Sequence, residues 1–342
     1  MSRALEPGIK QALCDVNHAA VFEEIAAILS LPTVLEIELL GYSHYANDAP
    51  SFIRDGNAIA IPKLRLVQAF MHARNVFVAY ARRDHGDSEK PIMEATAVML
   101  LFDPEHLTAA NTRKRLVSKD DATSIAREKL FVDSLLTSRL HRHSKSPNLW
   151  SHRRWLMEHM RKRGLDADLT EDFSNVILIS AERHARNYYA WRHARHLIES
   201  VEPGSANWSC ILAQTVKWCR CHHDDVSGWM FLALLLERWP AGADSVVADV
   251  LELTESLRWR NESVWYFLRN VVAGPQLVRF DSTLRMVRGE ADADNRAIER
   301  ASSWIQKHPT RQNPYGVEDG GTNRQSRIQK QTRAVDGAAQ ML

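Results

Sequence analysis

Three groups of side chains in this sequence have the types and spacing to do chemistry. Cys219, Cys221, His222, His223 and Asp224 fall within one short stretch, and thiolates, imidazoles and carboxylates are the ligands that zinc takes. Structural zinc sites use cysteine pairs two to four residues apart plus a second pair at a distance. Here the spacing is Cys-x-Cys with no second pair, so packing thiols and loop histidines are expected and no metal site is assigned. His141, Arg142, His143 and Lys145 form a basic run after Leu140; such a run either settles against the last carbonyls of a helix or faces an anion. Arg113 and Arg153 sit in apolar stripes. A buried guanidinium must find partners, so both are expected to act as struts between helices or at a subunit interface. His152 and Arg154 flank the stripe and are expected to touch a partner protein.

The elements that carry these residues are read from periodicity. Glycine and proline number only 14 and 12, and neither Val/Ile/Thr alternation nor hairpin turn pairs recur, so helix is expected throughout. Trp150, Trp191, Trp229 and Trp265 are separated by 41, 38 and 36 residues, and counting back 40 from the first lands on Ala110 in a similar setting. Around each marker, the preceding residue and positions +3, +6 and +7 repeat in register. Leu149, Arg153, Leu156 and Met157 surround Trp150, and Val264, Leu268, Val271 and Val272 surround Trp265. These positions share one face of an α-helix. Each marker helix follows a second amphipathic segment, such as Ile125–Leu136 or Phe173–Ile177, the latter with Thr170 as N-cap. Breakers fall between units at Gly164, Pro203-Gly204, Pro240 with Gly242, and Gly274-Pro275. A hairpin of this kind cannot bury its stripe alone, so neighbours must stack. The fold class predicted is all-α, a right-handed α/α superhelix of helical hairpins. One domain is expected over 1–308, with a helical cap over 1–100, about five repeats over 101–275 and closing helices over 276–308. Residues 309–342, poor in large apolar side chains, are expected to be a disordered tail.

The bulk numbers exclude some functions. A net charge of +2, from 44 Lys and Arg against 42 Asp and Glu, gives no support to nucleic-acid binding, which needs a basic excess. The longest apolar run, Met230–Leu236, is too short to cross a bilayer, which needs about 20 residues. The N-terminus has no apolar signal core, and four cysteines with three clustered suggest reduced thiols and a cytoplasmic location.

The segments SPNLWSHRRWL (146–156), RNYYAWRHARHLI (186–198) and NESVWYFLRNVV (261–272) resemble the repeats of the protein prenyltransferase α-subunit family, whose pattern is roughly Asn-Pro-x-Asn-Tyr-x-x-Trp-x-x-Arg-Arg. DPEHLTAANTRKRLV (103–117) fits the same frame at its start. SPxxWxHRRW and the degenerate HHDDVSGWMF (222–231) point to the repeat-containing branch of that family rather than to an ordinary farnesyltransferase α subunit. The resemblance implies a crescent of hairpins around a separate β subunit, with which this chain would form a heterodimer. That β subunit would carry the zinc, with magnesium as a further ion, and most of the prenyl and peptide pocket; no cofactor is implied in this chain. The zinc would activate a cysteine near the C-terminus of an acceptor protein, and the thiolate would attack farnesyl or geranylgeranyl diphosphate. On this resemblance Lys145, five residues before Trp150, would stabilise the diphosphate, with Asn187 and Tyr188 binding beside it. Trp150, His152, Arg153, Arg154, Trp191, Arg192, Trp229 and Trp265 would form the repeat framework and partner interface. The chain departs from the pattern at Pro147, where the family has tyrosine, at Tyr189, often histidine, and at Ala110 and Ala194. A non-enzymatic adaptor built like a tetratricopeptide array is the alternative from a different class.

Overall fold

A computed structural model describes residues 17–41, 50–82, 89–117, 121–165, 167–289 and 292–308. The expected tail over 309–342, Cys14 and the N-terminal start lie outside these residues. No described helix is long and apolar enough to cross a membrane. Helices dominate, as the repeat predicts: α1 (His18–Leu29), α2 (Lys63–Arg82), α3 (Lys90–Phe102), α4 (Leu107–Val117), α5 (Ala122–Thr137), the short α6 (His141–Ser144) and α7 (Pro147–Lys162). Then α8 (Leu169–Asp172), a π-helical turn (Phe173–Leu178) and α9 (Ile179–Arg183) follow one another without a break. They are followed by α10 (Tyr188–Ile198), α11 (Ala206–Cys221), α12 (Val226–Arg238), α13 (Ala243–Ser256), α14 (Glu262–Val271), α15 (Gln276–Val287) and α16 (Asp292–Lys307).

Helix throughout is corrected near the N-terminus. Three short strands, β1 (Glu36–Leu40), β2 (Ile53–Asp55) and β3 (Ala58–Pro62), form a sheet in the order β1-β3-β2, parallel between β1 and β3 and antiparallel between β2 and β3. Ile37, Ile59 and Ile61 point inward. The hairpin turns at Asp55-Gly56-Asn57, with Gly56 at φ 57°, a left-handed position that glycine takes without strain. Pro62 ends β3 and immediately precedes α2. The sheet docks on α5: Ser134 Oγ accepts from Leu35 N at 2.9 Å, and Arg139 N donates to Ile37 O at 3.3 Å.

Where one domain was expected, the chain forms two compact units. Among the described residues, the first holds those up to Trp239 together with Asn261–Phe267, and the second holds Pro240–Arg260 and those from Leu268 to His308. In the first, helix pairs stack through their marker helices, α7 on α4 and α5, α10 on α7, and α12 on α10 and α11. Trp191, Trp229 and Trp265 are fully buried and Trp150 is 4% exposed. In the second, α13 packs against α15, and Val247, Val250, Leu251, Phe280, Val287 and Ile298 are buried.

Local signals set the helix ends. Asp121, Ser146, Asp168, Asn187, Ser205 and Asp225 each accept backbone N–H bonds as N-caps, meeting the orphan donors of a helix start. Thr170 is therefore corrected as a cap. It lies in the first turn of α8, and Asp168 accepts from Thr170 N at 2.9 Å and Glu171 N at 3.0 Å. Gly164, at φ 68°, ends α7, and Leu165 N returns to Met160 O at 3.0 Å, a left-handed stop.

Gly228 precedes the marker Trp229. A Cβ there would lie 2.4 Å from the Trp218 ring and 3.2 Å from that of Trp191. Alanine at 228 gains up to about 1 kcal/mol of helix propensity but overpacks a closed seam, which typically costs about 1–3 kcal/mol. Gly228→Ala is expected to lower the urea midpoint; an unchanged or raised midpoint would show the seam to be looser than described.

Candidate functional site

One position per repeat, four residues before each marker, builds the edge on which the candidate site lies. His106, Ser146, Asn187, Asp225 and Asn261 occupy it. His106 Nδ1 accepts from Ala109 N at 3.2 Å, Ser146 Oγ from Leu149 N at 3.1 Å, Asn187 Oδ1 from Ala190 N at 3.3 Å and Asp225 Oδ1 from Ser227 N at 2.9 Å. The same residues reach back to the loop of the preceding repeat. Ser146 Oγ donates to Pro104 O at 3.4 Å, Asn187 Nδ2 donates to Ser144 O at 2.8 Å, Asp225 Oδ2 accepts from Arg186 N at 2.6 Å, and Asn261 Nδ2 donates to His223 O. Ser146, Asn187 and Asp225 thus each start their own helix and tie it to the repeat before; His106 caps without such a tie, and Asn261 ties without capping. The residue types differ from repeat to repeat, so identity matching hides the position; what the first four share is a side-chain acceptor for a helix start.

The marker indoles join the same ties. Trp150 Nε1 donates to Ser144 O at 2.9 Å, and Trp229 Nε1 donates to His223 O at 3.0 Å, each to the carbonyl six residues earlier. Ser144 O therefore receives Trp150, Asn187 and also Ser180 Oγ at 3.2 Å. Three donors on one carbonyl fix the loop at the residue just before Lys145. Lys145 is exposed. Beside it the His141 and His184 rings meet at a 59° tilt with centroids 4.0 Å apart. Burial lowers the pKa of His184, and the charges of His141 and Lys145 lower it further. The basic run divides by function. Arg142 pairs with Asp103 at 2.8 Å. His143 is buried with Nε2 2.9 Å from Leu101 O, and burial drops its pKa to about 4.

The structure does not offer every expected residue to a ligand or a partner. Asn187 is fully buried, and its amide also meets Ser180 O and Oγ; it positions the Lys145 loop, which corrects its expected role as a diphosphate contact. Tyr188, half-buried, opens α10 and packs edge-on against Tyr189 at 5.4 Å. Pro147, exposed, takes the first position of α7, where a missing N–H costs nothing. Arg154 is half-exposed and pairs with Glu158 at 3.1 Å. Arg192 is exposed. His152 is corrected: it is fully buried, with Nε2 3.2 Å from Glu128 Oε1, and cannot touch a partner.

His152 belongs to a seam chemistry that the apolar stripe did not predict. Position +3 of one marker helix and position +2 of the next come together beside buried acids of the neighbouring helices. Arg113 forks onto Glu128, with Nε–Oε1 at 2.9 Å and Nη2–Oε2 at 2.5 Å, and His152 closes the group. Burial penalises the Glu128 carboxylate, yet Arg113 and His152 outweigh it and hold its pKa near 2. In the next seam Arg153 Nε donates to Asp133 Oδ1 at 2.7 Å and Nη2 lies 3.0 Å from Asp172 Oδ1. Lys129 bridges the same two carboxylates at 2.8 and 2.7 Å. Arg153 Nη1 meets His193 Nε2 at 2.7 Å; arginine only donates, so that imidazole nitrogen accepts and the ring is neutral. Both arginine struts expected from the sequence are present, and both act within the chain.

Beyond Trp191 the seams turn apolar. Ala194 replaces the arginine, and Phe231 takes the +2 position and packs on Trp191 at 5.4 Å. Phe267 does the same on Trp229 at 5.0 Å, where His193 packs on Trp150 at 5.3 Å. The +2 ring therefore rests on the preceding marker in three successive seams. A family model described as the protein prenyltransferase alpha subunit repeat matches residues 133–160, the stretch that contains Asp133, Lys145, Trp150 and Arg153.

Residues 133–160 are similar to a protein prenyltransferase alpha subunit repeat.

A second model, the ECM9 middle domain, matches residues 149–257, a stretch that takes in the markers Trp150, Trp191 and Trp229. Protein prenyltransferase alpha subunit repeat-containing protein 1 of Danio rerio is 26% identical over 48% of this chain and 42% of its own. The Homo sapiens protein of that name is 25% identical over 48% and 44%. Protein ECM9 of Saccharomyces cerevisiae is 26% identical over 58% and 54%. The chain spans about half the length of the curated relatives it matches. Among the described residues no cluster of three or more His, Cys, Asp or Glu side chains could hold a metal ion. Cys210 and Cys221 are exposed free thiols, while Cys219 is buried and its pKa is pushed up by burial.

The buried imidazoles of this repeat edge give it a pH dependence. His143, His152 and His193 all have lowered pKa values, chiefly through burial. The unfolded chain binds protons at these histidines once the pH falls below about 6.5, and the fold does not. Stability is therefore fully present above that pH and falls as the pH drops, for His143 until about 4. Each unmatched proton contributes up to about 1.4 kcal/mol per pH unit. Urea titration at pH 7.5 and pH 5 is expected to show a lower midpoint in acid, with a shallower dependence in His193→Gln. A midpoint that rises toward pH 5 would contradict the neutral assignments.

Proposed function

We propose that this chain is the α-type subunit of a heterodimeric protein prenyltransferase. It would scaffold a zinc-containing β subunit and lend Lys145, with Tyr188 beside it, to the prenyl diphosphate during thioether transfer to a protein cysteine. The observation that carries this reading is Lys145 itself: an exposed lysine following a carbonyl held by three donors. A positioned cation of this kind stabilises charge growing on a leaving diphosphate without having to reorganise. Asn187 would serve the site by positioning that loop. The zinc belongs, in this reading, to the partner subunit and supplies the activated thiolate there. The function rests on two subunits, so the chain alone is expected to be inactive.

A second reading, an adaptor that kept the helical array without the cradle, is favoured by Pro147 in place of the family's tyrosine. The two separate in one experiment. The tagged chain is purified from its own cells, the bound proteins are identified by mass spectrometry, and the complex is assayed for transfer of labelled farnesyl or geranylgeranyl to a peptide ending in a cysteine motif. A zinc-containing barrel subunit with transfer activity supports the transferase. A stable complex with unrelated clients and no transfer supports the adaptor.

A further inference from the structure

In the first unit, the marker helices α4, α7, α10 and α12 pack one on the next, and their outward side chains fall into rows. Positions −3, +4 and +8 from each marker return to one side of a helix. At −3 stand Leu107, Pro147, Tyr188 and Val226, each exposed or half-buried. At +4 stand Lys114, Arg154 and Arg195, and Ala233 ends the row. At +8, one turn further, stand Glu158, Glu199 and Glu237. An apolar row, a cationic row and an anionic row thus run across the stack in that order. The three cations differ in their surroundings. Arg154 pairs with Glu158 at 3.1 Å. Lys114, half-buried, lies over the Trp155 ring with Nζ 6.0 Å from its centroid, and Arg195 is half-buried along α10. Among the described residues neither Lys114 nor Arg195 makes a hydrogen bond or an ion pair, and burial lowers the pKa of both with no carboxylate to offset it.

We propose that this face docks an acidic, amphipathic helix of a partner protein, its apolar flank on the −3 row and its carboxylates on Lys114 and Arg195. Charge complementarity carries the choice. A cation that has lost part of its water and gained no partner is stabilised when a carboxylate reaches it. Lys114 and Arg195 stand on helices two apart in the stack, about 16–20 Å at the usual interhelix spacing, too far for one small anion to bridge. The −3 and +4 rows are seven residues apart, about 10 Å, which is the width of one helix. The +8 glutamates stand beside the cations and repel a polyphosphate chain or an anionic lipid surface. A folded partner instead places its acids only where the cations are. Docking of this kind is independent of Lys145 and serves either reading of the function.

The test uses the full chain and a dye-labelled helical peptide about 30 Å long, built of Leu, Glu and Ala with Leu on one flank and Glu on the other. Fluorescence anisotropy at low salt is expected to show saturable binding. It should weaken about tenfold or more in Lys114→Gln/Arg195→Gln, and not at all in Arg127→Gln, an exposed arginine of α5 outside the row. Circular dichroism confirms that each variant is folded; if the double variant is not, Lys114→Gln alone should weaken binding about threefold. A zero-length carbodiimide, which joins an amine to a carboxylate in contact with it, should couple peptide glutamates to Lys114, as read by mass spectrometry. Absence of binding by the wild-type chain, equal binding by the folded variants, or cross-links that avoid Lys114 overturns the proposal. So does equal binding of the same peptide with Lys in place of Glu, or tighter binding of a single-stranded oligonucleotide or of phosphatidylserine vesicles.

Discussion

Replacing Arg153 with alanine is expected to destabilise the protein by about 3–5 kcal/mol, read as a large fall in the urea midpoint. Arg153, Asp133 and Asp172 are all buried, and Lys129 completes an alternating set of two cations and two carboxylates. The pKa of Arg153 is raised: burial opposes its charge, and the two carboxylates outweigh the burial. Removing the guanidinium leaves two buried carboxylates against one ammonium, and the penalty is that of an uncompensated charge in a low-dielectric seam. Typical domains have only about 5–15 kcal/mol in total. The chain itself contains the apolar version of this joint, at Ala194 and Phe231. Replacing the whole group with that chemistry, by Arg153→Met, Asp133→Leu, Asp172→Leu, Lys129→Met and His193→Phe, is expected to recover most of the loss, because buried ion pairs seldom outperform well-packed apolar side chains. A single variant within 1 kcal/mol of wild type would show that the group is hydrated rather than closed.

Trp191→Ala is expected to lose about 3–5 kcal/mol for a different reason, a cavity. Trp191 is fully buried, edge-on to Trp218 at 4.9 Å and against Phe231 at 5.4 Å. Its indole nitrogen has no hydrogen-bond partner, so Trp191→Phe removes a buried unpaired N–H along with some volume and is expected to cost under about 1.5 kcal/mol. Trp150→Phe should behave otherwise. It removes the bond to Ser144 O and loosens the carbonyl that precedes Lys145. Urea midpoints for the three variants separate packing from polar anchoring. Equal losses for Trp191→Ala and Trp191→Phe would contradict the packing assignment.

The repeat was legible because a buried indole is large, rare and hard to replace, so its spacing survives where its surroundings have drifted. Positions +3, +6 and +7 followed from helical geometry alone. What the stripe missed lies on the flank facing the previous repeat. A helix inside a stack is covered on two sides, so His152 and His193 at +2 are buried although a single amphipathic face puts them at its edge. The caps four residues before each marker were hidden by their variety. The strands were missed because runs of five, three and five residues offer too little alternation, although Asp55-Gly56 between Ile53 and Ile59 is a hairpin signal. The π-helical turn at Phe173–Leu178 left no sequence trace that we can identify. At the candidate site, Lys145 owes its identification to the family pattern. Its exposure, and the three hydrogen bonds that fix the carbonyl before it, belong to tertiary structure.

Lys145→Ala, introduced into the complex recovered with the tagged chain, tests the central reading most directly. The expected result is an unchanged subunit composition with prenyl transfer slowed about a hundredfold, the scale on which removing one positioned donor to a developing anion acts. Transfer at the wild-type rate with the complex intact would contradict a role for this lysine, and with it the account of the repeat edge as part of a diphosphate cradle.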